Sequence, residues 1–244
     1  MHLFYTPDIN ANTYTLSEEE SNHCNKVLRL KQGDRVNLID GVGGLYTAEI
    51  AEATKRAVHL NIIDKQSEFG KRNHHLHIAI APTKNNDRLE WFLEKATEIG
   101  IDEVTPIICD RSERKIVKED RLEKVITSAV KQSLTAYHPK INSAISFKDF
   151  IKQSKADDKL IAHCIDEEDR KAISEIIEPY QKYLILIGPE GDFTPKEIEL
   201  ALQSGFKPVT LGNTRLRTET AGLAACFEVN YLNRINEQRT KNKD

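Results

Sequence analysis

A chain of 244 residues, 39% hydrophobic and 30% charged, suffices for one large globular domain or two modest ones and is too apolar to be a disordered chain. No apolar run approaches the roughly 20 residues of a membrane helix, and the N-terminal MHLFYTPDIN lacks the basic and apolar regions of a signal peptide. The net charge of −3 does not mark a nucleic-acid binder, although basic residues gather at 71–72, 111–118 and 234–243, the last reading as a solvated, ragged terminus.

Residues 3–6 form a short β candidate. Ser17 then opens a helix, with Glu20 three positions on as a capping-box partner and Val27, Leu28 and Leu30 as its apolar end. Residues 36–40, 44–53 and 57–64 alternate or carry β-formers between Gly-rich turns, predicting a small barrel or twisted sheet. The polar stretch 66–75 breaks this pattern and reads as a domain boundary. His74, His75 and His77 follow it, but no Cys or carboxylate completes a ligand set in the sequence nearby, so no metal is expected. Cys24, Cys109, Cys164 and Cys226 are likewise too far apart for a zinc or CxxC spacing and read as reduced thiols of a cytoplasmic protein.

From Leu76 onward strands alternate with helices, which predicts an α/β domain with a mainly parallel sheet. The strands fall at 76–82, 104–109, 160–165, 183–187 and 207–211, and the helices at 86–99, 119–136, 168–178, 195–204 and 218–233. Helix 86–99 is carried by Leu89, Phe92, Leu93, Ala96 and Ile99 at spacings of three and four, with Gly100 as its stop.

Two loops follow adjacent apolar strands, where open α/β sheets bind ligands. The first, GPEGDF at 188–193, runs into Thr194, Pro195 and Glu197, an N-cap, a first-turn proline and a capping-box partner. It matches neither a dinucleotide fingerprint nor a phosphate loop. The second, LGNTRLRTETA at 211–221, packs Arg215, Arg217 and Glu219 before a helix rich in small residues. Arg217 and Glu219 read either as a structural ion pair or as part of a site for an anion or polar ring at the helix start.

These two motifs, with His23 and 27–29 (VLR), Lys84, 94–100 (EKATEIG), Arg111-Ser112 and Gln132-Ser133, resemble the RsmE family of SPOUT methyltransferases across almost the whole chain. Those enzymes use S-adenosyl-L-methionine to methylate N3 of a uridine in small-subunit (16S) ribosomal RNA. The resemblance implies a PUA-like β-barrel RNA-binding domain at 1–70, a trefoil-knotted SPOUT domain at 74–244, and a homodimer formed through the latter. It implies a cofactor held by His163, Ile187, Gly188, Pro189, Glu190, Gly191, Leu211, Gly212, Leu216 and Thr218. Arg217 is expected to stabilise the developing uracil anion, and Glu219 to orient the base or accept its proton. Arg29, Lys84, Arg111 and Arg114 are expected to contact RNA phosphates.

The sequence departs from the family pattern in four places. Asp192 replaces the second glycine of GPEGGF, and Thr214-Arg215 stands where LGPRILRTETA has its arginine and isoleucine. Leu134-Thr135-Ala136 replaces the Gly-Arg after Gln-Ser, and the N-terminal arginine is absent. Two other readings stay open on these grounds: a SPOUT enzyme acting on another RNA position, and an RNA-binding ribosome assembly factor without catalysis.

Overall fold

The computed structural model describes residues 2–54, 56–164 and 170–241. They divide into two compact units, Met1–Lys71 with Val130–His138, and Arg72–Ala129 with Pro139–Asp244. No helix among the described residues is long and apolar enough to cross a membrane.

In the first unit the chain runs through β1 (Leu3–Tyr5), β2 (Thr13–Thr15), α1 (Glu18–Asn22), a π-helical turn (His23–Leu28), β3 (Arg35–Ile39), β4 (Leu45–Ala53) and β5 (Val58–Gln66). The sheet order is β1-β3-β4-β5-β2, antiparallel apart from β1 beside β3. Alternation puts Val36 and Leu38, Tyr46, Ala48 and Ile50, and Val58 and Leu60 on one buried face with Phe4 and Leu16. Two register shifts between β4 and β5 bend that sheet into a PUA-like half-barrel. The sequence reading missed β2, three residues too short to show a period. It also gave α1 a full capping box. Ser17 does accept the Glu20 backbone N–H at 3.3 Å, but the Glu20 carboxylate instead binds Lys131 at 2.6 Å. The π-helical turn shifts the helix face, so Val27 is exposed rather than part of an apolar end.

The second unit begins with β6 (His75–Ile80), α2 (Asn86–Ile99) and β7 (Glu103–Ile108). Then come α3 (Glu119–Ser133, its last turn in the first unit), β8 (Lys140–Ile141), β9 (Ile145–Ser146), α4 (Phe147–Gln153) and β10 (Asp158–Ala162). The chain closes with β11 (Lys171–Ala172), β12 (Lys182–Ile187), α5 (Pro195–Gln203), β13 (Lys207–Thr210) and α6 (Thr218–Lys241). The sheet order is β11-β13-β10-β12-β6-β7-β8, with β9 also on β7, and every pairing is parallel. Parallel strands buried on both faces read as continuous apolar runs, as KYLILI in β12 does. Ala79, Ala81, Leu184 and Leu186 face α4 and α5. The opposite face carries α6, where Gly222 lies so close to Phe92 of α2 and Ile80 of β6 that an added Cβ would meet them at 2.7 and 3.0 Å.

Three further expectations change. Residues 170–178 hold β11 and a 3₁₀ turn (Ile173–Glu175) instead of a helix, because Lys171 and Ala172 pair with β13 and the Ser174 N–H is held by Glu228; positions 165, 168 and 169 of the expected strand and helix lie outside the described residues. Helix α3 stops at Ser133 because Leu134 turns left-handed, with φ 58°. Helix α6 runs to Lys241, two turns past the expected end, its final turns drawn from strong helix formers. The short β8, β9 and α4 carried no periodic signal and went unread.

Candidate active site

The carboxyl ends of β10, β12 and β13 lie side by side, and the loops that leave them meet around one cleft. Its larger part, about 680 Å³, is bounded by Ala162, His163, Cys164, Gly191 and the whole run 210–216. A smaller part of about 240 Å³ is walled by Ile187, Gly188, Pro189, Glu190, Arg217 and Thr218. Both parts share Ala162, Cys164, Asp192, Arg215, Leu216 and Ala221. The combined space falls within the range of small-molecule sites, and its walls mix apolar side chains and backbone with charged groups such as Asp192, Arg215 and Arg217.

The loop after β12 is fixed from every side. The Lys84 backbone N–H donates to Glu190 Oε1 at 2.9 Å. The Arg111 guanidinium donates to the Gly191 carbonyl at 2.8 Å and lies along Gly191, where a Cβ would touch it at 3.4 Å. Phe193 is fully buried, with its ring 5.4 Å from that of Phe147. Thr194 and Glu197 make the expected capping box, and Glu197 Oε1 also accepts the Asp110 N–H at 2.9 Å, tying α5 to the loop after β7. On the other wall Thr218 Oγ1 donates to the Gly188 carbonyl at 3.0 Å, docking the start of α6 on this loop.

Asp192 has φ 63°, the left-handed region that favours glycine and tolerates Asp. Its Oδ2 accepts the Cys164 N–H at 2.7 Å and its Oδ1 accepts the Phe193 N–H at 2.7 Å. The departure from the family glycine therefore keeps the backbone conformation and adds a bond between two loops of the cleft. The loop after β13 is different in kind. Residues 212–215 are exposed, Gly212 has φ 116°, and the bonds within it are the local ones between Thr210 and Gly212.

All ten positions expected to hold a cofactor line the cleft. Arg217 is exposed and lines the smaller part, whereas Glu219 does not line it. Residues two apart at a helix start do not face each other, and Glu219 turns toward α2. There it is buried, with Oε1 3.7 Å from Arg88 Nε, so its ion pair is with Arg88 and not Arg217. Of the expected RNA contacts, Arg29 is exposed in a left-handed turn at the end of the π-helical segment. Lys84 is exposed and paired with Glu113 at 2.9 Å. Arg111 and Arg114 spend donors on loop carbonyls, Arg114 on Thr83 and Lys84 at 2.8–3.2 Å. Ala162, Arg88 and Arg170, which donates to the His163 carbonyl at 2.7 Å, escaped the sequence reading. The motifs gave no signal for them, since they come from the end of β10, from α2 and from the stretch before β11.

At the amino ends of β6 and β7 in the same sheet, His75 and His77 approach Glu103 at 3.8 and 3.9 Å, and His77 Nε2 meets Thr105 Oγ1 at 2.8 Å. Burial pushes His77 down to about 4 against the pull of Glu103. No cluster of three His, Cys, Asp or Glu suited to a metal occurs among the described residues.

A parallel sheet of eight strands among the described residues, with three βα loops closing one cleft at its carboxyl end, defines an α/β protein, and the other unit is a PUA-like half-barrel. The chain belongs to the RNA methyltransferase domain family, whose model matches residues 71–230; a model for an RNA methyltransferase PUA domain matches 16–63. It is 43% identical to a probable rRNA-methyltransferase from Porphyromonas gingivalis of known structure, with a TM-score of 0.89 over 97% of this chain and 100% of that one. A ribosomal RNA small subunit methyltransferase E from Neisseria gonorrhoeae, solved bound to S-adenosyl methionine, shares 27% identity and a TM-score of 0.86 over 95% of this chain and 98% of its own. The Rickettsia conorii protein named ribosomal RNA small subunit methyltransferase E is 29% identical over 91% of each chain.

Proposed function

We propose that this protein methylates N3 of a uridine in small-subunit (16S) ribosomal RNA with S-adenosyl-L-methionine. The observation that carries the reading is the cleft itself, because three loops at the ends of β10, β12 and β13 meet in a chain of this family. The residues fit the cofactor. Leu211, Leu216, Ile187 and Ala221 offer apolar walls for a ring, and Gly188, Gly191 and Gly212 leave backbone groups open to it. When bound, the cofactor supplies an electrophilic methyl group on a sulfonium.

The protein's part is placement, which for well-oriented reactants is worth roughly 7–11 kcal/mol. The loop after β12 holds one wall rigid, and the exposed loop after β13 covers the other. Uridine N3 carries a proton that must leave before the nitrogen attacks. Arg217, on the cleft wall, stabilises the charge that develops on the flanking carbonyl oxygens, and Glu219 orients the base or takes the proton. Arg29 and Lys84 contact RNA phosphates directly, while Arg111 and Arg114 do so with donors beyond those committed to the loops. The first unit, about 1–70, serves as the RNA-holding domain, and 74–244 is the catalytic domain. The protein acts in the cytoplasm as a homodimer joined through α6, whose exposed Phe227 and Tyr231 stack at 5.8 Å on one helix face.

The test is to incubate the purified protein with methyl-labelled cofactor and small ribosomal subunits lacking the modification, then digest the RNA and identify the product by mass spectrometry. 3-Methyluridine is expected. A different methylated nucleoside overturns the position, and cofactor-independent RNA binding without transfer overturns the reaction.

A further inference from the structure

Asp192 is an acidic side chain on the boundary between the two parts of the cleft, and it lines both of them. Its left-handed backbone, φ 63°, carries the carboxylate across to the Cys164 N–H at 2.7 Å, with the Phe193 N–H on the other oxygen at 2.7 Å. An ionised carboxylate offers about four acceptor positions, so two backbone bonds leave roughly half of them unused. Asp192 is half-buried and forms no ion pair among the described residues. The other carboxylate on the wall, Glu190, belongs to the smaller part alone and accepts the Lys84 N–H. Asp192 therefore puts a negative charge in the middle of the cleft, where the family glycine would leave the wall neutral.

We infer that Asp192 is a specificity residue for the cofactor: its carboxylate is the counter-charge of the sulfonium and separates the methyl donor from its spent thioether form. This rests on the reaction proposed above and extends it to the relative affinities of donor and product. The sulfonium stands midway between the nucleoside and amino-acid ends of the cofactor. A molecule that fills both parts of the cleft carries that centre across the boundary where Asp192 stands. The arginines on the wall, Arg215 and Arg217 among them, have the wrong sign for this role. Transfer changes the charge that Asp192 faces. The S–C electron pair returns to sulfur, the methyl group bonds to N3, whose proton has left, and a cation becomes a neutral thioether. The attraction present before the step is absent after it, so Asp192 favours capture of the donor and release of the product.

The experiment measures Kd by calorimetry for the wild type and Asp192→Asn with three ligands. These are S-adenosyl-L-methionine, S-adenosyl-L-homocysteine and sinefungin, an analogue whose amine keeps a positive charge near the sulfonium position. Asn tolerates the left-handed backbone and removes the charge. A wall loosened by a lost bond weakens all three ligands alike and drops out of the ratio of their Kd values. The ratio of the homocysteine Kd to the methionine Kd is expected to fall about threefold in Asp192→Asn, the scale of a partly exposed ion pair, with sinefungin following the methyl donor. Raising the salt concentration narrows the same ratio in the wild type and leaves it unmoved in the variant. An unchanged ratio overturns the inference. Equal weakening of all three ligands also overturns it, and leaves Asp192 a brace or a partner of the amino-acid ammonium that donor and product share. If Asp192→Asn does not fold, Asp192→Gly carries the same comparison with the family residue. A wild type that binds neither donor nor product overturns the proposed function and this inference together, whereas equal weakening in the variant sinks only the latter.

Discussion

The two ends of the parallel sheet solve opposite problems on neighbouring strands. At the amino end, polar side chains close on one another: His75 and His77 face Glu103, and Asn142 Nδ2 donates to both Glu103 Oε1 at 2.6 Å and Thr105 Oγ1 at 2.7 Å. The cavity beside them, about 540 Å³, is large enough for a ligand, yet His77, Glu103, Thr105 and Asn142 on its wall already bind one another. At the carboxyl end the polar side chains brace the backbone instead, leaving the cleft wall open and one carboxylate oxygen, Glu219 Oε2, unsatisfied. Cavity size therefore does not separate the site from the rest of the molecule. The direction in which polar capacity is spent does.

The most damaging change is at the floor of the carboxyl end. Phe193→Ala removes a fully buried ring from between Phe147 and the loop after β12, and about 3–5 kcal/mol of stability should go with it. Urea unfolding should show the loss, and cofactor binding by calorimetry should weaken as the loop is freed. At the opposite end, His77 gives a pH signature. Its depressed value in the fold, about 4 against an ordinary 6.5, means the unfolded chain binds the extra proton first. The stability it contributes is complete above about pH 6.5 and is lost as the pH falls toward 4, on the order of 1–3 kcal/mol at 1.36 kcal/mol per unit. Thermal unfolding of wild type and His77→Phe across that window should show a steeper slope in the wild type, with methyl transfer at neutral pH unaffected.

Asp192→Gly sharpens the contrast further. It keeps the left-handed backbone but removes the bond to the Cys164 N–H, so cofactor affinity should fall about three- to tenfold, worth roughly 1 kcal/mol, with stability nearly unchanged. Unaltered affinity would show that the braced wall does not need this bond. The smallest change lies outside the cleft. Leu134 has φ 58° at a position where the family has glycine, and Leu134→Gly should raise stability by about 1 kcal/mol, read as an increase in Tm.

Asp192 and Leu134 look alike as departures from a family pattern, and only the bonds their side chains make distinguish them. Both stand at left-handed positions that call for glycine. Asp tolerates the conformation and uses its carboxylate to bind two neighbouring N–H groups, whereas Leu offers no such compensation. The sequence showed where the pattern broke but not that one break is chemically repaired.

Local information was enough for the elements with strong period or capping. Helix α2 begins and ends where its apolar spacing and Gly100 place it, and α5 carries the capping box that Thr194 and Glu197 announce. Buried parallel strands such as β12 are visible as apolar runs, and the two loops carrying GPEGDF and LGNTRLRTETA were legible because glycines and clustered arginines follow those runs. The third loop, at His163 and Cys164, came only through family resemblance. Strand order, the left-handed turns at Leu134 and Asp192, and the partner of each charged side chain depend on residues far apart in the chain. Arg88 and Glu219 are separated by 131 positions, and neither spacing nor composition can relate them. Packing of α6 against α2 at Gly222 brings those two helices into close contact, and so it was the tertiary structure that decided which cation Glu219 meets and which of its oxygens is left free.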